Sequence, residues 1–245
     1  MRRLTVVCGL VLCLSLALVG CASLDRAGDH RLHASYSRDF DLAYRVYLPE
    51  GYTRKDQRWP LILFLHGAGE RGADLADLER TGLPKLIAEK KLDLPFVMVA
   101  PQCPADRWWD APALATLLDH VVATYRIDPR RVYLTGLSMG GTGAWMLAAE
   151  YPDRFAAIAP ICGRTLPLRA APLKDMPVWV FHGDADNVVD IWNSENQVKR
   201  LREAGNTKVE FTVYPGVDHN AWDRTYADKR LYEWFLKHTC RDDRD

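Results

Sequence analysis

The protein is a chain of 245 residues, of which 48% are hydrophobic and 26% are charged, a composition ordinary for a globular protein. These figures exclude disorder and collagen-like repeats, and a chain of this length can bury one large core without disulfide or metal staples. The 32 Lys and Arg residues balance 32 Asp and Glu residues, so the formal net charge is zero and nucleic acid is not an expected partner.

The first twenty residues have the pattern of an export signal. Arg2 and Arg3 precede an uncharged apolar stretch over residues 4–20, which matches the charged and hydrophobic regions of a signal peptide. As a transmembrane helix this stretch is at the short limit, because a hydrocarbon core needs about 20 apolar residues. We therefore predict that the protein is exported.

The stretch ends in Leu18-Val19-Gly20-Cys21, which resembles the lipobox of bacterial lipoproteins. In that family the cysteine is lipid-modified and the chain is cut just before it, so the resemblance implies a mature chain beginning at a lipid-bearing Cys21. Each buried acyl methylene contributes about 0.8 kcal/mol to membrane anchoring. Ala22 resembles the outer-membrane sorting pattern, so we expect anchoring to a bacterial membrane, in Gram-negative cells the outer membrane facing the periplasm or the cell surface. The alternatives are an ordinary secretory signal and an uncleaved anchor.

After this signal (residues 1–20) we predict a polar linker over residues 21–33, one catalytic domain over residues 34–240 and a charged tail over residues 241–245. Within the domain, apolar runs of strand length alternate with segments of helical period. Several runs are continuous, which is typical of strands buried on both faces. The predicted strands are Tyr44–Leu48, Pro60–Leu65, Phe96–Ala100, Val132–Thr135, Phe155–Ile161, Val178–Phe181 and Val209–Tyr214.

Helical segments lie between these strands. One apolar stripe has Asp110 as a plausible N-cap, and it comprises Leu114, Leu117, Leu118, Val121 and Tyr125. Further helices are predicted over residues 187–204 and 222–238. Regular alternation of strand and helix predicts an α/β fold, with a mostly parallel sheet, right-handed crossovers and helices on both faces.

Three cysteines remain once the signal and the lipid anchor account for the others: Cys103, Cys162 and Cys240. An odd number cannot pair completely within one chain, although an oxidising compartment permits a disulfide and both Cys103 and Cys162 follow predicted strands. No CxxC or HExxH spacing occurs, so we expect no metal site.

The strongest chemical signal is GLSMG at residues 136–140, a GxSxG motif between a predicted strand and the helical run Ala144–Ala148. This context is typical of a nucleophile elbow, in which a sharp turn presents the serine at the edge of the sheet. Ser138 is therefore the candidate nucleophile. The alternative is a glycine-rich turn without chemistry.

A serine hydroxyl needs a base, and the base needs a group that orients it. Three histidines follow Ser138 in the chain: His182, His219 and His238. His182 ends an apolar strand and His238 lies at the end of the last helix, so both are interpreted as structural. His219 follows the last predicted strand, where the sheet's carboxyl edge would present it to Ser138, and it is the predicted base.

The acid lies in HGDADNVV, residues 182–189, after the penultimate strand. Asp184 and Asp186 are nearly equal candidates from the residues alone. Upstream, HGAGERG at residues 66–72 is a candidate oxyanion loop, with the backbone N–H groups of Ala68 and Met139 as donors. The same letters spell GxGxxG, but the next strand leads into PQC without an acid, so no dinucleotide cofactor is expected.

The segments HGAGERG, APQC, GLSMGG, PICG, HGDADNVV and GVDHNAWDRTY, within residues 66–226, resemble one branch of the α/β-hydrolases: the predicted peptidases and phospholipase/carboxylesterases, near feruloyl esterases and dienelactone hydrolases. The resemblance implies a single-domain hydrolase fold, and its HGxxDxxV signature favours Asp186 as the acid. One departure is Asp218, since glycine often stands before the histidine. A carboxylate there would favour the charged form of His219.

Only some fifteen residues separate Cys162 from the strand at Val178, which leaves no room for a cap domain. We therefore expect an open site suited to bulky or polymer-borne esters. Trp108, Trp109 and Trp222 are candidates for an aromatic wall against substrate, although ordinary packing is at least as good an interpretation.

These features predict a lipid-anchored serine hydrolase that cleaves carboxylic esters through an acyl-enzyme on Ser138. The alternatives are a serine peptidase of the same fold and a non-catalytic binding module on a hydrolase scaffold. Substrate identity does not follow from the fold.

Overall fold

The computed structural model describes residues 28–35, 39–53, 57–164 and 170–240. The predicted signal peptide, the lipidation site Cys21 and the charged tail lie outside these residues. Within the described part of the chain, no helix combines the length and the apolar character needed to cross a bilayer.

The described residues form one eight-stranded sheet with the order β1-β2-β4-β3-β5-β6-β7-β8. The first two strands run antiparallel to their neighbours, and β3 to β8 are parallel. The strands are β1 (Gly28–Ser35), β2 (Asp39–Tyr47), β3 (Trp59–Leu65), β4 (Val97–Pro101), β5 (Ile127–Leu137), β6 (Ala157–Ile161), β7 (Val178–Gly183) and β8 (Val209–Tyr214).

Six helices accompany this sheet in the described ranges: α1 (Gly82–Ala88), α2 (Ala111–Thr124), α3 (Met139–Glu150), α4 (Trp192–Glu203), α5 (Ala221–Ala227) and α6 (Lys229–Leu236). Buried residues of α2, α3 and α4 belong to one apolar cluster, and those of α1, α5 and α6 belong to a second. The helices therefore cover both faces of the sheet, and the predicted α/β architecture is confirmed.

Strand β3 shows why continuous apolar runs predict buried strands. Leu61, Leu63 and Leu65 belong to the first cluster, whereas Ile62 and Phe64 belong to the second. Successive side chains point to opposite faces, and because helices cover both faces every position is apolar. All seven residues of the strand are buried.

The structure corrects the predicted linker, because β1 occupies most of its second half. Charged residues hold this edge strand to β2: Arg45 Nη2 lies 3.1 Å from Asp29 Oδ2, and Arg31 Nη1 lies 2.6 Å from Asp41 Oδ2. A strand with one solvated face carries such cross-strand charge pairs, which gave these residues the composition of a polar linker.

The C-terminal helix predicted over residues 222–238 is two helices, α5 and α6. The helical conformation is interrupted at Asp228, whose side chain accepts a hydrogen bond from the Arg230 amide and caps α6. Similarly, α4 begins at Trp192 rather than residue 187. The expected N-cap of α2 is confirmed, since Asp110 Oδ1 accepts from the Ala113 amide at 3.0 Å.

Candidate active site

The turn between β5 and α3 holds Ser138 in an unusual backbone conformation, with φ of 53° and ψ of −116°. Positive φ is rare for residues other than glycine and is strained, so neighbouring contacts must hold it. The Ser138 amide donates to the Ile161 carbonyl at 2.9 Å. A Cβ on Gly140 would lie 1.9 Å from the Leu65 carbonyl oxygen, and one on Gly136 would lie 2.4 Å from that of Gly140. The expected elbow is therefore present.

The loops after β7 and β8 bring two side chains to this elbow. His219 Nε2 lies 2.8 Å from Ser138 Oγ, and His219 Nδ1 lies 2.7 Å from Asp186 Oδ2. Three residues far apart in sequence thus form one continuous chain of hydrogen bonds. This arrangement can pass a proton from the hydroxyl to an imidazole whose other nitrogen is held by a carboxylate.

Asp186 also shapes its own loop. Its Oδ1 accepts hydrogen bonds from the backbone amides of Val188 at 2.9 Å and Val189 at 2.8 Å. Burial raises the pKa of Asp186, but the hydrogen bonds from His219, Val189 and Val188 outweigh burial and hold it below its usual value of 3.8. The carboxylate is therefore ionised at neutral pH while its side chain is fully buried.

The structure separates the two acids that the residues alone left nearly equal. Asp184 is exposed, and its Oδ1 accepts from the Gly216 amide at 2.6 Å. This hydrogen bond therefore links the loop after β7 to the loop after β8. Asp186, two residues later, holds the imidazole of His219.

His182 has the structural position that was expected of it. The ring is fully buried, with Nδ1 2.7 Å from Ser194 Oγ and Nε2 2.8 Å from the Val189 carbonyl oxygen. Nε2 also lies 3.1 Å from Asp186 Oδ2, so two imidazoles flank one carboxylate oxygen.

Asp218, where glycine often stands in the resembling family, connects the acid loop to the histidine loop. Its Oδ1 accepts from the backbone amides of His219 at 2.7 Å and Asn187 at 3.3 Å. The carboxylate is thus engaged by backbone N–H groups next to the imidazole, which fixes the path of the chain on either side of His219.

The loop after β3 is held by a buried histidine. His66 Nε2 accepts from the Cys103 amide at 2.9 Å, so its proton must be on Nδ1, which lies 2.6 Å from the Gly67 carbonyl oxygen. Its own carbonyl accepts from Trp109 Nε1 at 3.3 Å. Burial lowers the pKa of His66 from 6.5 to about 4, so the ring is neutral at physiological pH.

Glu70 in the same loop is a buried carboxyl group that the sequence reasoning missed. Burial raises the pKa of its carboxyl above the usual range, and the backbone N–H groups of Gly67 and Glu70 act in the opposite direction. Its carbonyl accepts from Gln102 Nε2 at 3.1 Å. A signal was available in the sequence, because Glu70 is an acid within the glycine-rich candidate oxyanion loop HGAGERG.

The residues of the two predicted oxyanion donors each begin a helical turn. Ala68 is the first residue of a 3₁₀ turn, and Met139 is the first residue of α3. The N–H groups at the start of a helix have no acceptor within that helix, which is compatible with the predicted role. A Cβ on Gly67 would lie 2.8 Å from Leu137 Cδ1, which shows how closely the two turns approach.

The three tryptophans of the predicted aromatic wall lie in different environments. Trp109 is only 6% exposed and its ring packs 4.7 Å from that of His66, so its main contacts are structural. Trp108 is 61% exposed. Both line a cavity of about 220 Å³ whose other lining residues are Phe40, Asp41, Leu42, Cys103, Pro104, Arg107, Asp110, Ala113 and Leu114. Trp222 is edge-on to His219, with ring centroids 5.2 Å apart.

Two exposed apolar side chains near the acid loop were missed by the sequence reasoning. Val188, two residues after Asp186, is 55% exposed, and Trp192 is 60% exposed at the start of α4. No pattern distinguishes these residues from an ordinary amphipathic helix start, since exposure depends on where the loop ends and the helix begins.

Cys103, Cys162 and Cys240 are free thiols. Cys162 follows β6 directly below the elbow, and its Sγ lies 3.3 Å from the His219 carbonyl oxygen. Within the described ranges, Cys162, Asp186 and His219 form a group whose potential ligand atoms all lie within 4.8 Å of one another. No local sequence spacing could have revealed this group.

Residues 35–212 match the model of the Esterase family, described as "Putative esterase". The chain is 32% identical over 161 residues to "Putative esterase NocK" of Nocardia uniformis subsp. tsuyamanensis, covering 59% of this chain and 45% of that protein. It is 28% identical over 212 residues to a poly(3-hydroxyoctanoate) depolymerase of Pseudomonas fluorescens, covering 74% of each.

Among solved structures, that of a thermostable esterase superposes with a TM-score of 0.76 at 32% identity. The match covers 86% of this chain and 63% of that one. The chain thus spans less than half of the length of NocK and somewhat under two thirds of the thermostable esterase.

Because His66 is neutral in the fold, we expect stability to fall on acidification. A histidine whose pKa is lowered on folding contributes to the free energy of unfolding. This contribution is fully present above about pH 6.5 and is lost as pH falls towards about 4. The loss attributable to His66 is roughly 2–3 kcal/mol between about pH 7 and about pH 4.5. The measurement is urea unfolding of the protein and of His66→Gln at both pH values. The glutamine variant should lack this component, and equal pH dependence of the two proteins would contradict the assignment.

Proposed function

The chain belongs to the Esterase family, and from this premise we propose that it is a serine hydrolase that cleaves carboxylic esters through an acyl-enzyme on Ser138. The observation that carries the proposal is the unbroken hydrogen-bond chain from Ser138 through His219 to Asp186. A lone GxSxG turn would not require an imidazole and a buried carboxylate to meet at its serine.

In the first half of the proposed reaction, Ser138 Oγ attacks the ester carbonyl while His219 Nε2 accepts its proton. Asp186 keeps the other ring proton on Nδ1 and stabilises the imidazolium that forms. The amides of Ala68 and Met139 donate to the oxyanion of the tetrahedral intermediate. His219 then protonates the leaving alcohol, and the acyl group remains on Ser138.

The second half repeats these roles with water as the nucleophile. His219 removes a proton from water, the hydroxide attacks the acyl carbonyl, and the proton passes to Ser138 as the acid leaves. Every group in the cycle returns to its starting protonation state.

For the substrate we propose bulky or polymer-borne esters. The name of the Pseudomonas fluorescens relative gives a polyester as what that protein depolymerises, and this chain carries exposed apolar side chains beside the proposed site. Val188 and Trp192 lie on the acid loop and at the start of α4, and Trp222 packs against His219. Exposed apolar groups beside the acid loop of the proposed site favour contact with a surface or a bulky chain.

For the location we propose an exported protein anchored to a bacterial membrane by lipid on Cys21, on the strength of the lipobox-like segment alone. An anchor would keep the hydrolase at a membrane surface, where it would meet esters that cannot enter the cell.

The proposal of an acyl-enzyme predicts covalent labelling. A fluorophosphonate should modify Ser138 in the protein and should not modify Ser138→Ala, as read by mass spectrometry of the labelled peptide. In a panel of p-nitrophenyl, feruloyl, acetyl-sugar, polyester and peptide substrates, we expect ester turnover and no comparable peptide turnover. Labelling without turnover of any ester would contradict the proposed substrate class, and absence of labelling would contradict the mechanism.

The two acids of the HGDADNVV segment provide a matched pair. In Asp186→Asn the amide oxygen can still accept from Val188 and Val189, whereas the amide NH₂ would face His219 Nδ1 and favour the wrong tautomer. We expect kcat/KM to fall by about 10³–10⁴-fold, as tautomer errors do in such triads.

Asp184→Asn is the control, because its amide oxygen can still accept from Gly216. It should keep kcat/KM within about threefold, a barrier change below 1 kcal/mol. A larger loss in Asp184→Asn than in Asp186→Asn would reverse the assignment.

The lipid anchor predicts the chemistry of the mature N-terminus. After expression of the full chain in a Gram-negative host, mass spectrometry should find an acylated Cys21 as the first residue, and the protein should fractionate with membranes. Cys21→Ser should remain unprocessed at this site. An unmodified first residue other than Cys21 in the wild-type protein would overturn the proposal.

A further inference from the structure

The proposed hydrolysis does not use the thiol of Cys162, although this thiol lies directly behind the reacting groups. Cys162 follows β6 with a positive φ of 40°, and its side chain is fully buried. Its Sγ lies 3.3 Å from the His219 carbonyl oxygen, and its own amide donates to the Phe181 carbonyl at 2.9 Å. The backbone therefore holds the thiol in place from two sides.

The thiol completes a set of three side chains, cysteine, aspartate and histidine, that each bind zinc in proteins. Cys162 Sγ, a carboxylate oxygen of Asp186 and a ring nitrogen of His219 lie within 4.8 Å of one another. Zinc binds sulfur at about 2.3 Å and nitrogen or oxygen at about 2.0–2.2 Å, so its tetrahedral ligands stand about 3.3–3.8 Å apart. Side-chain shifts of about an ångström would bring the three atoms to these separations.

We propose that Cys162, Asp186 and His219 form an inhibitory binding site for a divalent zinc-group cation, Zn²⁺ or Cd²⁺, which switches off the hydrolase reversibly. The inhibitory role of the metal rests on the proposed function. The binding of the metal itself does not depend on any activity.

Binding replaces one bond by another without a redox partner. The S–H bond of Cys162 breaks, the proton passes to solvent, and a metal–thiolate bond forms. Asp186 supplies a second negative charge, so the three side chains together neutralise the cation. In the metal-free protein, burial raises the pKa of the Cys162 thiol, which is therefore neutral and leaves His219 free to act as a base.

Inhibition is expected whether the metal binds Nε2 or Nδ1 of His219. On Nε2 the metal would occupy the lone pair that must receive the serine proton. On Nδ1 it would displace the bond to Asp186 and leave the ring proton on Nε2, facing Ser138 with no lone pair to offer. In both cases Ser138 stays protonated, so kcat falls while the ester can still bind.

The first experiment measures inhibition in the full chain. At a metal concentration about ten times the dissociation constant, about a tenth of the activity should remain, and a chelator should restore it. We expect kcat to fall with KM nearly unchanged. Cys162→Ser, with each rate compared with that variant's own metal-free rate, should lose the inhibition. Cys103→Ser is the matched control, since Cys103 is also a buried free thiol but lies outside the ligand group, and it should keep the inhibition.

The second experiment does not need activity. Cd²⁺ added to the wild-type protein should produce one equivalent of ultraviolet cadmium–thiolate absorption that is absent from Cys162→Ser and present in Cys103→Ser. If the metal-free wild-type protein hydrolyses no ester but still shows this absorption when Cd²⁺ is added, the result would tell against the proposed function alone. Equal inhibition of Cys162→Ser, a purely competitive pattern, or no difference in absorption between wild type and Cys162→Ser would overturn the metal site.

Discussion

The site depends on the close contact between the elbow at Ser138 and the neighbouring strand ends. Ser138 keeps a positive φ because its amide is bound to the Ile161 carbonyl and because no side chain on Gly140 keeps the Leu65 carbonyl away. That contact brings β3, β5 and β6 together at one edge of the sheet. The loops after β7 and β8 then place the His219 imidazole within hydrogen-bond distance of the Ser138 hydroxyl, and the Asp186 carboxylate within hydrogen-bond distance of that imidazole.

A second layer of buried polar groups fixes the loop opposite the elbow. Neutral His66 satisfies one donor and one acceptor of the backbone, and Trp109 and Gln102 bond to carbonyls of the same loop. Buried polar groups with fixed partners stiffen a structure because any displacement leaves one of them unpaired. In the proposed mechanism this stiffness would preorganise the loop that carries the Ala68 amide, and a preorganised donor needs no reorientation when negative charge develops.

Much of the fold and the candidate site could be predicted from the sequence, because their signals are local. The continuous apolar run of β3 indicates a strand that is covered by helices on both faces of the sheet. GLSMG between a strand and a helix indicates the elbow. Signals that depend on the three-dimensional partner were not available. The strand β1 looks like a linker until Asp29 and Arg31 meet their partners on β2. Asp184 and Asp186 are the same residue type two positions apart; the family resemblance favours Asp186, but the chemistry of the residues alone cannot show which one contacts His219.

The packing that aligns the hydrogen-bond chain also determines what else is near it. Ser138 can bond to Ile161 only if β6 ends beneath the elbow, and the next residue, Cys162, must then lie behind His219 and Asp186. Burial raises the pKa of this thiol and favours its protonated form. A divalent cation opposes this effect, because its charge stabilises the thiolate and the buried carboxylate together. Sensitivity to such a cation would therefore be a physical consequence of placing a cysteine at this strand end, and it would disappear with the thiol while the fold of the elbow stayed the same.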